Sequence, residues 1–258
     1  MRIVVKVGTS TLVHAGGRLN IRRVNKLCEV LSDLKNAGHE IIFVSSGAIA
    51  IGVGKLHFST RPTDIPGKQA AAAVGQCELM YTYDKLFSDH NHTVAQILMT
   101  GADFRDEERN RNFKNTLSRL LEMDVIPVVN ENDTVATDEI NVGDNDTLSA
   151  LVAVDAQADL LILLSDIDGL YTADPHSDPQ ARLIPVVERL TEEVESLAGG
   201  AGSRLGTGGM ITKLHAARIC TEAGCDMVIM NGAQPELLYD AVNGEGVGTR
   251  FLRERKNA

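Results

Sequence analysis

The chain has no tryptophan, and Phe and Tyr together make up only 4% of its 258 residues. That leaves little material for a platform on which nucleic-acid bases could stack. Long apolar runs are missing too. The opening Met1-Arg2-Ile3-Val4-Val5-Lys6 breaks after three apolar residues, so it offers no signal-type segment. No other run approaches the roughly 18 residues needed to span a bilayer. The four cysteines, Cys28, Cys77, Cys220 and Cys225, are scattered and form no CxxC pair. In a chain of this length they read as reduced thiols in or near a core, which suits the cytoplasm. His90-Asn91-His92 lacks partners at metal-ligand spacing and reads as a solvated turn. Cations are outnumbered, with 25 Lys and Arg against 35 Asp and Glu for a formal charge of −10. Such a surface repels nucleic acid and anionic membranes, so neither is expected as a partner. A small anionic ligand stays possible, because a few local cations can dominate one pocket.

What is present is globular in character: 43% hydrophobic and 23% charged. Short apolar runs recur at Ile3–Val5, Ile41–Val44, Val94–Met99, Val125–Val129, Leu160–Leu164 and Met227–Met230. Their length and Val/Ile content suit strands buried on both faces of a parallel sheet. Pro127 counts against a central position for its strand and fits an early residue of it. Between these runs lie helical patterns. Val24, Leu27, Cys28, Leu31 and Leu34 share one helix face, ended by Gly38. Leu148, Leu151 and Val152 repeat the pattern, as do Met210, Leu214 and Ala217. The mixed-sign run Arg105–Arg111 reads as a solvated face. Strands alternating with helices predict an α/β fold, an open and mainly parallel β-sheet sandwiched between helices, in one domain over 1–258. The Gly-rich stretch 199–209 reads as a loop before a helix rather than a linker.

In such sheets ligands bind beyond the carboxyl ends of the strands, so the junctions after each apolar run are the places to inspect. The first is Lys6-Val7-Gly8-Thr9-Ser10, a cation followed by Gly and two hydroxyls. That set offers what a phosphate cradle needs: charge, backbone N–H groups and hydroxyl donors. The second is Ser45-Ser46-Gly47-Ala48, a small-residue turn into a helix. The next is Asn130-Glu131-Asn132-Asp133, followed by a hairpin-like stretch over 134–142 and then Gly143-Asp144-Asn145-Asp146. Asp144 is the natural N-cap there. Capping leaves Asp133, Asn145 and Asp146 unexplained, and with Asp144 they make an acidic, amide-bearing patch suited to an ammonium group or to orienting lysines. Two further junctions are Ser165-Asp166 and the Gly206–Lys213 stretch, whose glycines expose the start of a helix to an anion. Neither GxxxxGK[ST] nor GxGxxG occurs, since Pro62 stands where the first would need Gly.

Taken together and in order, KVGTS at 6–10, SSGAIAIG at 45–52, NENDTVAT at 130–137, VGDNDTLSA at 142–150, SDIDGLYTADP at 165–175 and GTGGMITK at 206–213 resemble the amino acid kinase family. The closest likeness is to its branch that phosphorylates glutamate on the side-chain carboxylate. The resemblance implies transfer of the ATP γ-phosphoryl group to L-glutamate, giving glutamyl 5-phosphate as the first step of proline biosynthesis. It further implies Mg²⁺ with the nucleotide, proline as a feedback inhibitor, and a homo-oligomer, dimer or tetramer. The chain ends soon after the kinase motifs, so it is read as a short form without a C-terminal PUA domain. Carried over by motif, Lys6, Lys213 and Asp146 are catalytic, with Asp146 holding both lysines. Ser46, Asp133, Asn145 and Asp144 would bind glutamate. Lys6, Gly8, Ser165, Asp166, Thr207, Gly208, Gly209, Met210, Ile211, Thr212 and Lys213 would bind ATP. No residue is assigned to the metal. Two other readings stay open. One is a kinase of the same fold acting on aspartate, N-acetylglutamate, carbamate or UMP. The other is a binding regulator without turnover, although binding alone does not require two lysines and a carboxylate.

Overall fold

The computed structural model describes residues 1–136, 145–175, 177–197 and 209–254. All six apolar runs are strands: β1 (Arg2–Val7), β2 (Glu40–Val44), β3 (Val94–Met99), β4 (Ile126–Glu131), β5 (Leu160–Ser165) and, after the two-residue β6 (Val186–Val187), β7 (Asp226–Asn231). A short β8 (Thr249–Phe251) closes the series. They join one sheet in the order β3-β4-β2-β1-β5-β7-β8-β6, in which only the β7–β8 pair is antiparallel. β6 and β8 carried no apolar run and went unread in the sequence, because two or three residues are too few to display a period. β3 corrects the expectation of strands buried on both faces. It lies at the sheet edge and is only partly covered. Pro127 sits in an interior strand, but as its second residue. The ladder to β2 starts at Val128, so the missing N–H falls before that pairing begins.

The helices are α1 (Thr9–Leu12), α2 (Ile21–Asn36), α3 (Ala48–Lys55), α4 (Ile65–Ser88), α5 (Gly101–Arg105), α6 (Glu107–Glu122), α7 (Asn145–Asp155), α8 (Glu192–Ser196), α9 (Met210–Ala223) and α10 (Leu238–Asn243). α2 opens on Asn20, whose side chain accepts the Arg23 amide N–H, and Gly38 (φ +93°) turns the chain after its end. The Arg105–Arg111 run spans the end of α5 and the solvent face of α6. His90 and Asn91 lie in the exposed turn after α4, as read, whereas His92 follows it half-buried, its Nε2 3.3 Å from the Ser32 carbonyl oxygen. Cys28, Cys220 and Cys225 are buried and free. Cys77 is a correction, since it is exposed on α4.

Strand alternation divides the core in two. Ile3, Val5 and Val7 face the layer of α2, α3 and α4 with Leu27, Leu31, Leu79, Tyr83 and Phe87. Val4, Ile42 and Val44 face α6, α7 and α9 with Phe113, Leu117, Val152, Leu214 and Ala217. Lys6 has the parity of Val4. It therefore leaves the end of β1 on the side covered by α7 and α9. On the opposite side α3 and α4 pack with almost no side chain between them. A Cβ on Gly52 would lie 1.8 Å from the Ala71 carbonyl oxygen, and one on Gly75 would lie 1.8 Å from that of Ala48.

Candidate active site

The buried Lys6 is the last residue but one of β1, and α7 begins with Asn145 and the fully buried Asp146. Lys6 Nζ donates to Asp146 Oδ1 at 2.7 Å. Lys213, the fourth residue of α9, donates from Nζ to Asp146 Oδ2 at 3.0 Å. Two ammonium groups more than 200 residues apart in sequence thus share one carboxylate. Thr212 Oγ1 lies 3.0 Å from Asp146 Oδ2 and 2.8 Å from the Gly209 carbonyl, and its single hydrogen serves one of them at a time. The Asp146 carbonyl oxygen accepts from Ser149 Oγ at 2.7 Å. Burial by itself would raise the Asp146 pKa. The charges of Lys6 and Lys213 and their hydrogen bonds overrule it and hold the carboxyl at about 2, below the ordinary 3.8. Asp146 is therefore a permanent anion between two cations. The acidic patch read from the sequence divides here, because Asp146 turns to the lysines and Asn145, its neighbour, turns elsewhere.

Asn145 Nδ2 faces three acceptors: the Ser45 carbonyl at 2.8 Å, Ser46 Oγ at 2.9 Å and Asn130 Oδ1 at 3.0 Å. Ser46 comes from the turn after β2. Gly47 makes that turn possible by adopting φ +91° as the N-cap of α3, a conformation L side chains rarely take. Ser45 Oγ pairs with the Tyr83 hydroxyl at 2.8 Å, and burial pushes the phenol pKa upward. Asp133, half-buried, lines a recess with Gln76, Glu131, Thr134, Ala48 and Ala72. Gln76 links that recess to the amide cluster, since its Oε1 accepts from Asn130 Nδ2 at 2.7 Å.

Gly8 lies at the mouth of the lysine cluster: a Cβ there would come within 3.8 Å of Lys6 Nζ. Its amide is not free, as the sequence reading assumed. It donates to the Leu164 carbonyl at 3.2 Å and ties β1 to β5. The amides left without a helical partner are those of Thr9 and Ser10 at the start of α1. Ser165 and Asp166 sit at the end of β5, the strand paired with β1. Ser165 is buried and donates to Asp166 Oδ1 at 3.1 Å, and Asp166 is exposed. Gly209 is the N-cap of α9. Met210 begins that helix, and Ile211 is 65% exposed on its first turn. Asp144, Thr207, Gly208 and most of the hairpin and loop readings at 134–142 and 199–209 fall outside the described residues.

Residues 1–231 match the model of the amino acid kinase family. The chain belongs to that family. Among curated relatives, the glutamate 5-kinase of Clostridium tetani is 55% identical over 249 residues, covering 96% of this chain and 93% of its own. The glutamate 5-kinase of Clostridium perfringens is 50% identical over 258 residues, covering 98% and 96%. Among solved structures, carbamate kinase from Giardia lamblia bound to AMP-PNP superimposes with a TM-score of 0.71 at 15% identity, covering 98% of both chains. At that identity the likeness speaks for the fold alone. In this amino acid kinase, residues the sequence did not mark out also touch the candidate site residues. Asn130 was visible as part of a motif but had no assigned partner. Gln76 and Tyr83 sit on a long helix whose pattern carried no hint of function, and only contacts across the fold bring them to the site.

Proposed function

We propose that the chain is a glutamate 5-kinase, transferring the γ-phosphoryl group of ATP to the side-chain carboxylate of L-glutamate. The observation that carries this reading is the buried Lys6–Asp146–Lys213 cluster, adjoined through Asn145, Asn130 and Gln76 to the recess that Asp133 lines. The names of the half-identical relatives support the acceptor, and the family supports the donor.

Phosphoryl transfer asks the protein for alignment and charge stabilisation rather than covalent chemistry. A glutamate carboxylate oxygen attacks the γ-phosphorus, forming an O–P bond as the bond to the bridging oxygen breaks and ADP departs. The carboxylate is already ionised near neutral pH, so no general base is needed. Both reactants are anions. A lysine about 4 Å from an anion is worth roughly 4 kcal/mol at an effective dielectric near 20. Two such cations offset the repulsion, and Asp146 keeps them from repelling each other. Gly8, Ser165, Asp166, Thr207, Gly208, Gly209, Met210, Ile211 and Thr212 would line the nucleotide site with the two lysines. Ser46, Asp133, Asn145 and Asp144 would hold glutamate, with an amide oxygen and acids suited to its ammonium.

Among the described residues no group of three or more His, Cys, Asp or Glu side chains could hold a metal ion. Both oxygens of Asp146 are already engaged by the lysines. The described residues thus make no protein cage for Mg²⁺, and the ion is proposed only as a companion of the ATP phosphates, with no step assigned to it. The same reading covers one kinase domain, action at the start of proline biosynthesis, inhibition by proline, a dimer or tetramer, and residence in the cytoplasm. Among the described residues no helix is long and apolar enough to cross a membrane.

Trapping of acyl phosphate with hydroxylamine, alongside ADP release, tests the acceptor. Glutamate is expected to give hydroxamate, with little from aspartate or N-acetylglutamate and no ADP release with carbamate or UMP. A preference for N-acetylglutamate would overturn the choice, because the acidic patch anticipates a free ammonium.

A further inference from the structure

We infer that Gln76 is a positioning residue that completes the hydrogen bonds holding the glutamate-binding amide of Asn145 in its orientation, acting through Asn130. The inference deepens the proposed glutamate kinase reading and rests on it.

Three side-chain amides form a chain whose polarity is set by backbone groups that have no choice of role. The Glu131 N–H can only donate, and it donates to Asn130 Oδ1 at 2.9 Å. The Ser45 carbonyl can only accept, and it takes Asn145 Nδ2 at 2.8 Å. Asn130 Oδ1 therefore also accepts from Asn145, while Asn130 Nδ2 must find an acceptor on its other side. Gln76 Oε1 is that acceptor, at 2.7 Å. Asn130 is 1% exposed and Gln76 8%, so water is a poor substitute for either partner. A planar amide whose nitrogen faces three acceptors, sharing its two hydrogens among them, turns its oxygen the other way. The Asn145 oxygen is thereby kept as an acceptor for a cation, and the proposed substrate brings one as its ammonium.

The backbone explains how a residue in mid-helix reaches this point. Gly75 lets α4 approach the first turn of α3 so closely that a Cβ would sit 1.8 Å from the Ala48 carbonyl oxygen. The next residue, Gln76, is carried against the end of β4. Without Gln76 the buried Asn130 amide would lose the acceptor that meets its nitrogen on that side. Turning over would set its nitrogen against two donors, the Glu131 N–H and Asn145 Nδ2.

The test compares Gln76→Met, which keeps the volume and removes the acceptor, with Gln76→Glu, whose carboxyl accepts whether ionised or not. Both are assayed for the KM of glutamate, the KM of ATP, and the Ki of glutarate, which has both carboxylates and no ammonium. Gln76→Met should raise the glutamate KM about tenfold, the scale of one lost buried hydrogen bond, with kcat, ATP KM and glutarate Ki within about twofold. Gln76→Glu should stay near wild type. In an Asn130→Asp background, where a symmetric acceptor needs no orienting, Gln76→Met should add little. An unchanged glutamate KM in Gln76→Met overturns the inference, as does a parallel rise of glutamate KM and glutarate Ki. Should Gln76→Met fail to fold, a glutamate KM raised about tenfold in Gln76→Glu has the same force. Wild-type protein that phosphorylates no glutamate would instead bring down the functional reading itself, and with it this inference.

Discussion

Lys6, Asp146 and Lys213 are each nine-tenths or more buried, so their charges act with little screening by water. Replacing either lysine by alanine removes one preorganised donor and should lower turnover by about 10²–10³. Steady-state kinetics on folded variants checks this, and near-normal turnover would exclude that lysine from the mechanism. The carboxylate between them makes a separate prediction about pH. Its pKa is lower in the folded protein (about 2) than the ordinary 3.8, so folding favours the ionised form. The stabilisation is full above about pH 4 and is lost as pH falls through about 2, a difference on the order of 2 kcal/mol. Urea unfolding across that window should show a flatter pH dependence for Asp146→Asn than for wild type, and matching slopes would contradict it. The three residue types were legible in sequence as chemistry at strand and helix ends. Their mutual contact was expected only through the family resemblance, because no local pattern joins positions 140 and 67 residues apart, and the structure brings it about.

The helical elements carry their own consequences. Alanine is favoured over glycine inside a helix by about 1 kcal/mol, so Gly75→Ala and Gly52→Ala would stabilise α4 and α3 if each were alone. Here the added Cβ meets backbone oxygen at 1.8 Å, which cannot rotate away. Packing wins, and each substitution should destabilise by about 1–3 kcal/mol as the helices are forced apart. Chemical denaturation measures this, and a stabilised Gly75→Ala protein would show that α3 and α4 do not cross so closely. Gly75→Ala should also raise the glutamate KM by dislodging Gln76. At this scale the periodic helices α2, α7 and α9 were readable from their apolar faces. The long α4 was not read, for the first half of its buried side runs through Ala71, Ala72, Gly75 and Gln76, small or polar residues, and large apolar ones follow only at Leu79, Tyr83 and Phe87.

Across the whole molecule, β8 joins β7 to the edge strand β6, and its Phe251 is fully buried against Met227 and the α9 layer. Phe251→Ala should cost about 3–5 kcal/mol by leaving a cavity far from the lysines. Its urea midpoint should fall while the KM values of the surviving enzyme stay near wild type, and a coupled change in KM would contradict that separation. By itself the sequence determined the alternation of strands and helices, the polar junctions at strand ends and the family likeness. Each of these is written in neighbouring residues, where periodicity and turn chemistry act within a few positions. Only the tertiary structure decided that Lys6 emerges on the α7–α9 side, that Asn145 and Asp146 turn to different clusters, and that Gln76 reaches Asn130. Those outcomes depend on which layers close over which face of the sheet and on how nearly two backbones can touch, quantities that no local stretch of chain contains.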